Sequence, residues 1–208
     1  MVSAGTTLRV LNGNPAAVWT AVGLALALSP NLSDAASPDG KYAAKEAGLE
    51  SCERYVEERA NASDVSHLFV GWLAGYLSAY NRLTPDTVDI APWQSVELMA
   101  NLLEGYCQER PEIPFAHAVD ALIAGLMPTR LRVPSDRVEV RSGEHALFIY
   151  EHVLARAQQA LAERGFYDGP VKGVFDDATE KAFDEFQKIN GIVQTGLPDQ
   201  ATLFQLFR

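Results

Sequence analysis

Four histidines, two cysteines and the neighbouring carboxylates Glu57-Glu58 and Asp176-Asp177 are the side chains of this 208-residue chain best suited to chemistry. Metal binding needs at least three ligands at workable spacing, and a nucleophile needs a base within hydrogen-bond reach. His67, His117, His145 and His152 make neither a His-Glu-x-x-His nor a His-x-His pattern. His145 and His152, seven residues apart, read as two solvated positions on one long helix. Glu57-Glu58 and Asp176-Asp177 are adjacent in sequence, yet adjacent residues of a helix point in different directions, whereas glycoside cleavage needs two carboxyls facing across a cleft. Asp176-Asp177 reads instead as a helix cap. No serine lies in a Gly-x-Ser-x-Gly elbow. The sequence therefore carries no recognisable catalytic set, no metal site and no sign of a cofactor, and reads as a protein that is not an enzyme.

The cysteines take their meaning from the first residues. Arg9 is the only charge ahead of an apolar run at 16–28, which is followed by Pro30 and the small-residue stretch Ser33-Asp34-Ala35-Ala36. That is the layout of a secretory signal peptide over residues 1–36, with cleavage after Ala35 or Ala36 and the periplasm as destination. The run is short for a bilayer span; retention as an anchor is the alternative reading. In an exported chain an even cysteine count favours a disulfide between Cys52 and Cys107 over two free thiols. Closing that loop would stabilise the fold by about 4 kcal/mol in the chain-entropy model. Either cysteine would need a thiolate-stabilising partner to act as a nucleophile, and export favours oxidation instead.

Composition sets the class. With 48% hydrophobic and 21% charged residues the chain is globular. A net charge of -10 excludes nucleic acid as a partner, because displacing counterions from phosphates requires a basic footprint.

The elements that must position these side chains are mainly helical. Residues 37–127 read as a helical bundle with one disulfide. Its helices lie at 46–58, carrying Cys52; at 65–80, capped by Asp64; at 93–106, just before Cys107; and at 115–126. Leu68, Phe69, Trp72, Leu73, Tyr76 and Leu77 keep helical spacing and read as core. Residues 128–143, with Pro128, Pro134 and an alternating valine pattern, read as a linker or a short edge strand. From 144 to 208 three helices follow. Ser142 caps a long helix whose face is Leu147, Tyr150, Leu154, Ala157 and Leu161 and which stops near Gly165. Asp177 with Glu180 forms a capping box for the second, with Ala182, Phe183, Phe186 and Ile189 as its buried face and Gly191 as its stop. The third starts after Pro198 and Asp199.

This last segment carries Gln159-Ala160-Leu161, Gly165-Phe166-Tyr167, Gly173-Val174-Phe175, Thr179, Ala182, Phe186-Gln187, Asn190-Gly191, Thr195-Gly196, Asp199 and Thr202-Leu203, in that order over about 50 residues. It resembles the peptidoglycan-binding-like domain of bacterial cell-wall proteins. Fold demands account for much of the pattern, since Gly165, Gly191 and Gly196 suit positive φ and Phe175, Phe183 and Phe186 supply core. The resemblance implies peptidoglycan as partner. The polar groups left over for glycan and stem-peptide contact are Asp168, Asp177, Gln187, Asn190, Gln194 and Thr195, with Tyr167 as a flat apolar contact. Two departures stand out: Lys172-Gly173 replaces the common Asp-Gly, and Asp176 stands where glycine is common after the aromatic.

Residues 45–126, with Cys52, the stretch Leu73-Ala74-Gly75-Tyr76-Leu77-Ser78-Ala79-Tyr80-Asn81, and Tyr106-Cys107 before Pro111, are similar to small exported HdeA-like proteins, in which one disulfide ties a bundle of short helices. That similarity implies a periplasmic structural or stress-related role. The expected whole is an exported, non-catalytic protein that holds a helical bundle at the cell wall. Two other readings stay open: an accessory or enzymatic part of a wall-hydrolase system, and a chaperone or inhibitor whose Trp72 and Tyr76 face meets a protein partner.

Overall fold

The computed structural model describes residue 37 and residues 41–208, and the signal-peptide reading lies outside the described residues. Residues 41–208 form one compact unit with two apolar cores. The element order is α1 (Cys52–Ala60), α2 (Asp64–Leu83), α3 (Val96–Gln108), α4 (Phe115–Leu126), β1 (Arg137–Ser142), β2 (His145–Tyr150), α5 (Glu151–Glu163), α6 (Asp177–Ile189) and α7 (Gln200–Leu206). The chain is mainly α, a disulfide-stapled helical bundle followed by a small hairpin and a three-helix module.

Helix starts in the bundle follow serine chemistry. Ser51, Ser63 and Ser95 each sit in extended backbone and accept a hydrogen bond from the N–H three residues on, which satisfies one of the orphan donors of the first turn. The expected boundaries shift accordingly. Ser63, and not Asp64, caps α2, and α3 begins after Ser95. The single helix expected at 46–58 is broken at Ser51 into a 3-10 turn, Glu46–Leu49, and α1. The break lets the chain pair briefly with the segment before α4: Cys52 N–H donates to Ile113 C=O at 2.9 Å and Phe115 N–H to Glu50 C=O at 2.8 Å.

The bundle core is built on aromatic rings. Tyr55, Phe69 and Phe115 meet with centroids 4.6 to 5.2 Å apart, and all three are buried. The Tyr55 hydroxyl donates to Ala100 C=O at 2.8 Å, which gives a buried polar atom the partner it requires. Burial pushes the Tyr55 phenol up to about 12. Cys52 and Cys107 are bonded, joining α1 to α3, with Cα atoms 4.8 Å apart. Trp72 and Tyr76 are half-buried and stacked at 4.9 Å. Gly48 lies so close above Trp72 that a Cβ there would sit 2.3 Å from the indole. The Tyr76 hydroxyl donates to Asp120, as does that of Tyr42, each at 2.7 Å. The face expected to meet a protein partner is thus partly covered by the chain's own 42–48 segment.

The largest departure from expectation follows the bundle. Ser142 caps no helix; it ends β1, which pairs antiparallel with β2 in register Arg137 to Tyr150 through Ser142 to His145. Gly143, at φ 56°, opens the two-residue turn. The pleat sends Val138, Val140, Leu147 and Ile149 toward the second core and Arg137, Glu139 and Phe148 to the outer face, while Tyr150, at the end of the strand, is half-buried and also packs against that core. His145 therefore lies on a strand and His152 on α5, not together on one helix. Among the described residues no three His, Cys, Asp or Glu side chains cluster as a metal site would require. No described helix is long and apolar enough to cross a membrane.

Segment 85–95 links the two cores. Val88 and Asp89 pair with Leu131 after α4. The Asp89 carboxylate accepts from Asn81, from Ala91 N–H and from the Tyr150 hydroxyl. Trp93, in sequence a bundle residue, packs into the second core with its ring 5.5 Å from Phe207 in an edge-on arrangement.

Candidate functional site

The module repeats one device. Gln158 of α5 has no exposed surface. Its Oε1 accepts from the N–H groups of Lys172 and Gly173 at 3.1 and 2.9 Å, and its Nε2 donates to Val174 C=O and the Thr179 hydroxyl at 2.8 and 2.9 Å. One helix later, buried Gln187 of α6 does the same. Its Oε1 accepts from Thr195 and Gly196 N–H, and its Nε2 donates to Leu197 C=O and the Thr202 hydroxyl, all at 2.8 to 2.9 Å. Each glutamine thereby holds the turn that launches the next helix, supplying partners for backbone groups that would otherwise be buried and unpaired.

The next helix in each unit starts on an aspartate with a threonine three residues on. Asp176 accepts from the Thr179 N–H and hydroxyl at 2.8 and 2.6 Å, and Asp199 accepts from Thr202 N–H and the Thr195 hydroxyl at 2.9 and 2.7 Å. The Thr179 hydroxyl, then its N–H, hold the Asp176 carboxyl below its ordinary value of 3.8. The cap of α6 is thus Asp176 and not Asp177. Glu180 does not close a capping box, because its carboxylate accepts from the Ser142 hydroxyl at 2.6 Å. Asp176 adopts φ -126°, an extended conformation that needs no glycine, so its departure from the common sequence adds a cap without strain. Gly173 is the demanding position. It has φ 70°, and a Cβ would come within 2.4 Å of the Glu151 carbonyl oxygen.

A family model, "Putative peptidoglycan binding domain", matches residues 154–206. No curated protein and no solved structure matches the chain, and the similarity of the bundle to HdeA-like proteins finds no counterpart there. The peptidoglycan-binding module thus coincides with α5 to α7, the doubled glutamine device and its caps.

The expected contact residues of the module divide in two. Gln187 is fully buried and spends both amide ends on the fold. Tyr167 is buried, its hydroxyl donating to Pro170 C=O. The Thr195 hydroxyl is engaged by Gln187 and Asp199. These three shape the turns. Asp168, Asp177, Asn190 and Gln194 are exposed. Asn190 follows α6 and donates to Phe186 C=O, while Gln194 reaches back to both oxygens of Asp184 at 3.1 Å. Beside them Ile189 and Val193 are 73% and 78% exposed. The α6–α7 turn therefore offers amide groups next to aliphatic surface.

Gln158 escaped the sequence reading, which pointed to its exposed neighbour Gln159. A signal existed: Gln158, Gly173 and Asp176-x-x-Thr179 are echoed by Gln187, Gly196 and Asp199-x-x-Thr202. The turn between the first pair is longer than between the second, so no fixed period exposes the repeat.

Proposed function

We propose that this chain is an exported, periplasmic, non-catalytic protein that binds peptidoglycan through its C-terminal module, residues 144–208, and holds the helical bundle at the cell wall. The observation that carries this reading is the family match over residues 154–206. The exposed set Asp168, Asp177, Asn190 and Gln194 supplies donors and acceptors for glycan hydroxyls and stem-peptide amides, with Ile189 and Val193 as apolar surface beside them. Tyr167, Gln187 and Thr195 act by holding the turns that present this set. A shallow surface of this kind binds weakly, because association must first offset several kcal/mol of lost freedom; retention at the wall then comes from rebinding to repeated sites.

The test is co-sedimentation of the mature protein with insoluble peptidoglycan sacculi at physiological salt. The protein is expected in the pellet, and a double substitution, Asn190→Ala with Gln194→Ala, is expected to reduce the pelleted fraction severalfold at unchanged melting temperature. A protein left in the supernatant at every sacculus concentration overturns the reading.

A further inference from the structure

A groove of about 490 Å³ runs between β2, the 89–96 segment and the start of α7, within the size range of small-ligand sites. It is built jointly by the family-matched module and by residues outside the match. Residues 147–150 all line it. Four consecutive residues mark a strand edge, since a strand face would contribute alternate ones. Among the described residues β2 pairs only with β1, on its other side.

Most polar groups in its walls are spent on holding it open. The Asp89 carboxylate is engaged by Asn81, Ala91 and Tyr150. That of Asp199 is engaged by Thr202 and Thr195. The Gln200 amide donates to Trp93 C=O and accepts from Ser95 N–H. Arg137 is different. It stands across the ladder from Tyr150 with its guanidinium 5.6 Å from that ring, and its closest polar contact is a long 3.5 Å approach to Phe148 C=O. Among the described residues it has no carboxylate partner. Phe148, two residues from Tyr150 on the same face of the hairpin, is 61% exposed.

We infer that this groove is a second peptidoglycan contact, distinct from the α6–α7 turn, in which a sugar ring lies on Phe148 and a stem-peptide carboxylate meets Arg137. The inference rests on the reading that the module binds peptidoglycan. A guanidinium fork matches a carboxylate with two parallel hydrogen bonds, and an aromatic face suits the C–H face of a pyranose. A neutral glycan would leave Arg137 without a carboxylate. A wall fragment carries sugar, amide and carboxylate in one repeating unit, and the unpaired edge of β2 offers backbone groups to its peptide. The groove would extend the bound segment beyond the module and orient the bundle relative to the strand.

The experiment compares the full chain with Phe148→Ala and Arg137→Ala in sacculus co-sedimentation. Both residues are exposed, so melting temperatures are expected to stay unchanged. Each substitution is expected to weaken apparent affinity at least threefold, and soluble disaccharide-peptide fragments are expected to release the wild-type protein. Wild-type protein that fails to pellet overturns the module reading and this one with it. Wild-type protein that pellets while both variants bind equally overturns the groove alone. Release by poly-glutamate at matched carboxylate concentration, with none by the wall fragments, assigns the groove to an acidic peptide and also overturns the proposal.

Discussion

The backbone N–H of Ser95 donates to Oε1 of Gln200 at 2.7 Å, joining residues 105 apart in sequence. The same amide donates from Nε2 to Trp93 C=O. One side chain on α7 thus bridges to the segment ahead of α3, beside a tryptophan that packs into the second core. Gln200→Ala leaves both backbone groups without their partner. Ser95 is exposed and regains water, so the cost is expected to be about 1 kcal/mol. The sharper effect is on cooperativity: melting followed by bundle and module probes should separate where the wild type melts together.

Gln187 carries a larger share of module stability. Gln187→Leu keeps the volume roughly constant but strips partners from Thr195 and Gly196 N–H and from Leu197 C=O. A buried polar group left unpaired costs about 1–3 kcal/mol, so the loss should reach at least about 3 kcal/mol in denaturant unfolding. Gln159→Leu, on the exposed neighbour of the equivalent Gln158, should change stability by no more than about 0.5 kcal/mol.

The cap of α6 should depend on pH. The Asp176 carboxyl sits below its ordinary value of 3.8 in the fold, so its stabilising contribution is fully present above that value and fades as pH falls through the depressed one. Asp176→Ala should cost about 1 kcal/mol at neutral pH. Asp176→Asn retains an acceptor oxygen and should melt close to wild type at neutral pH, and should lose less stability than wild type when the pH drops below 4. Melting curves across pH 2 to 7 check both.

The disulfide closes a loop with a sequence separation of 55. Replacing both cysteines with alanine should cost about 4 kcal/mol in the chain-entropy estimate, read as a lower melting temperature of the bundle. Reductant should reproduce the shift in the wild-type protein and leave the double variant unaffected.

Local chemistry alone determined a good part of this protein. Turn glycines expected from their neighbours take positive φ, with Gly165 at 78° and both Gly191 and Gly196 at 66°. The cysteine pair is bonded as expected. The helices of the bundle and module were legible from apolar periodicity, which acts within a few positions, whereas their exact starts were not: Ser63 and Asp176 cap where Asp64 and Asp177 were expected, and Ser142 caps no helix. Tertiary structure decided what depends on distant partners. The run 145–150 has apolar residues compatible with either period, and only the opposing strand at 137–142 makes it β2. Which of Gln158 and Gln159 is buried depends on where the 172–174 turn returns against α5. Trp93 joins the second core because α7 folds back beside it, and the groove at that junction exists because β2, the 89–96 segment and α7 converge from three separate stretches of chain.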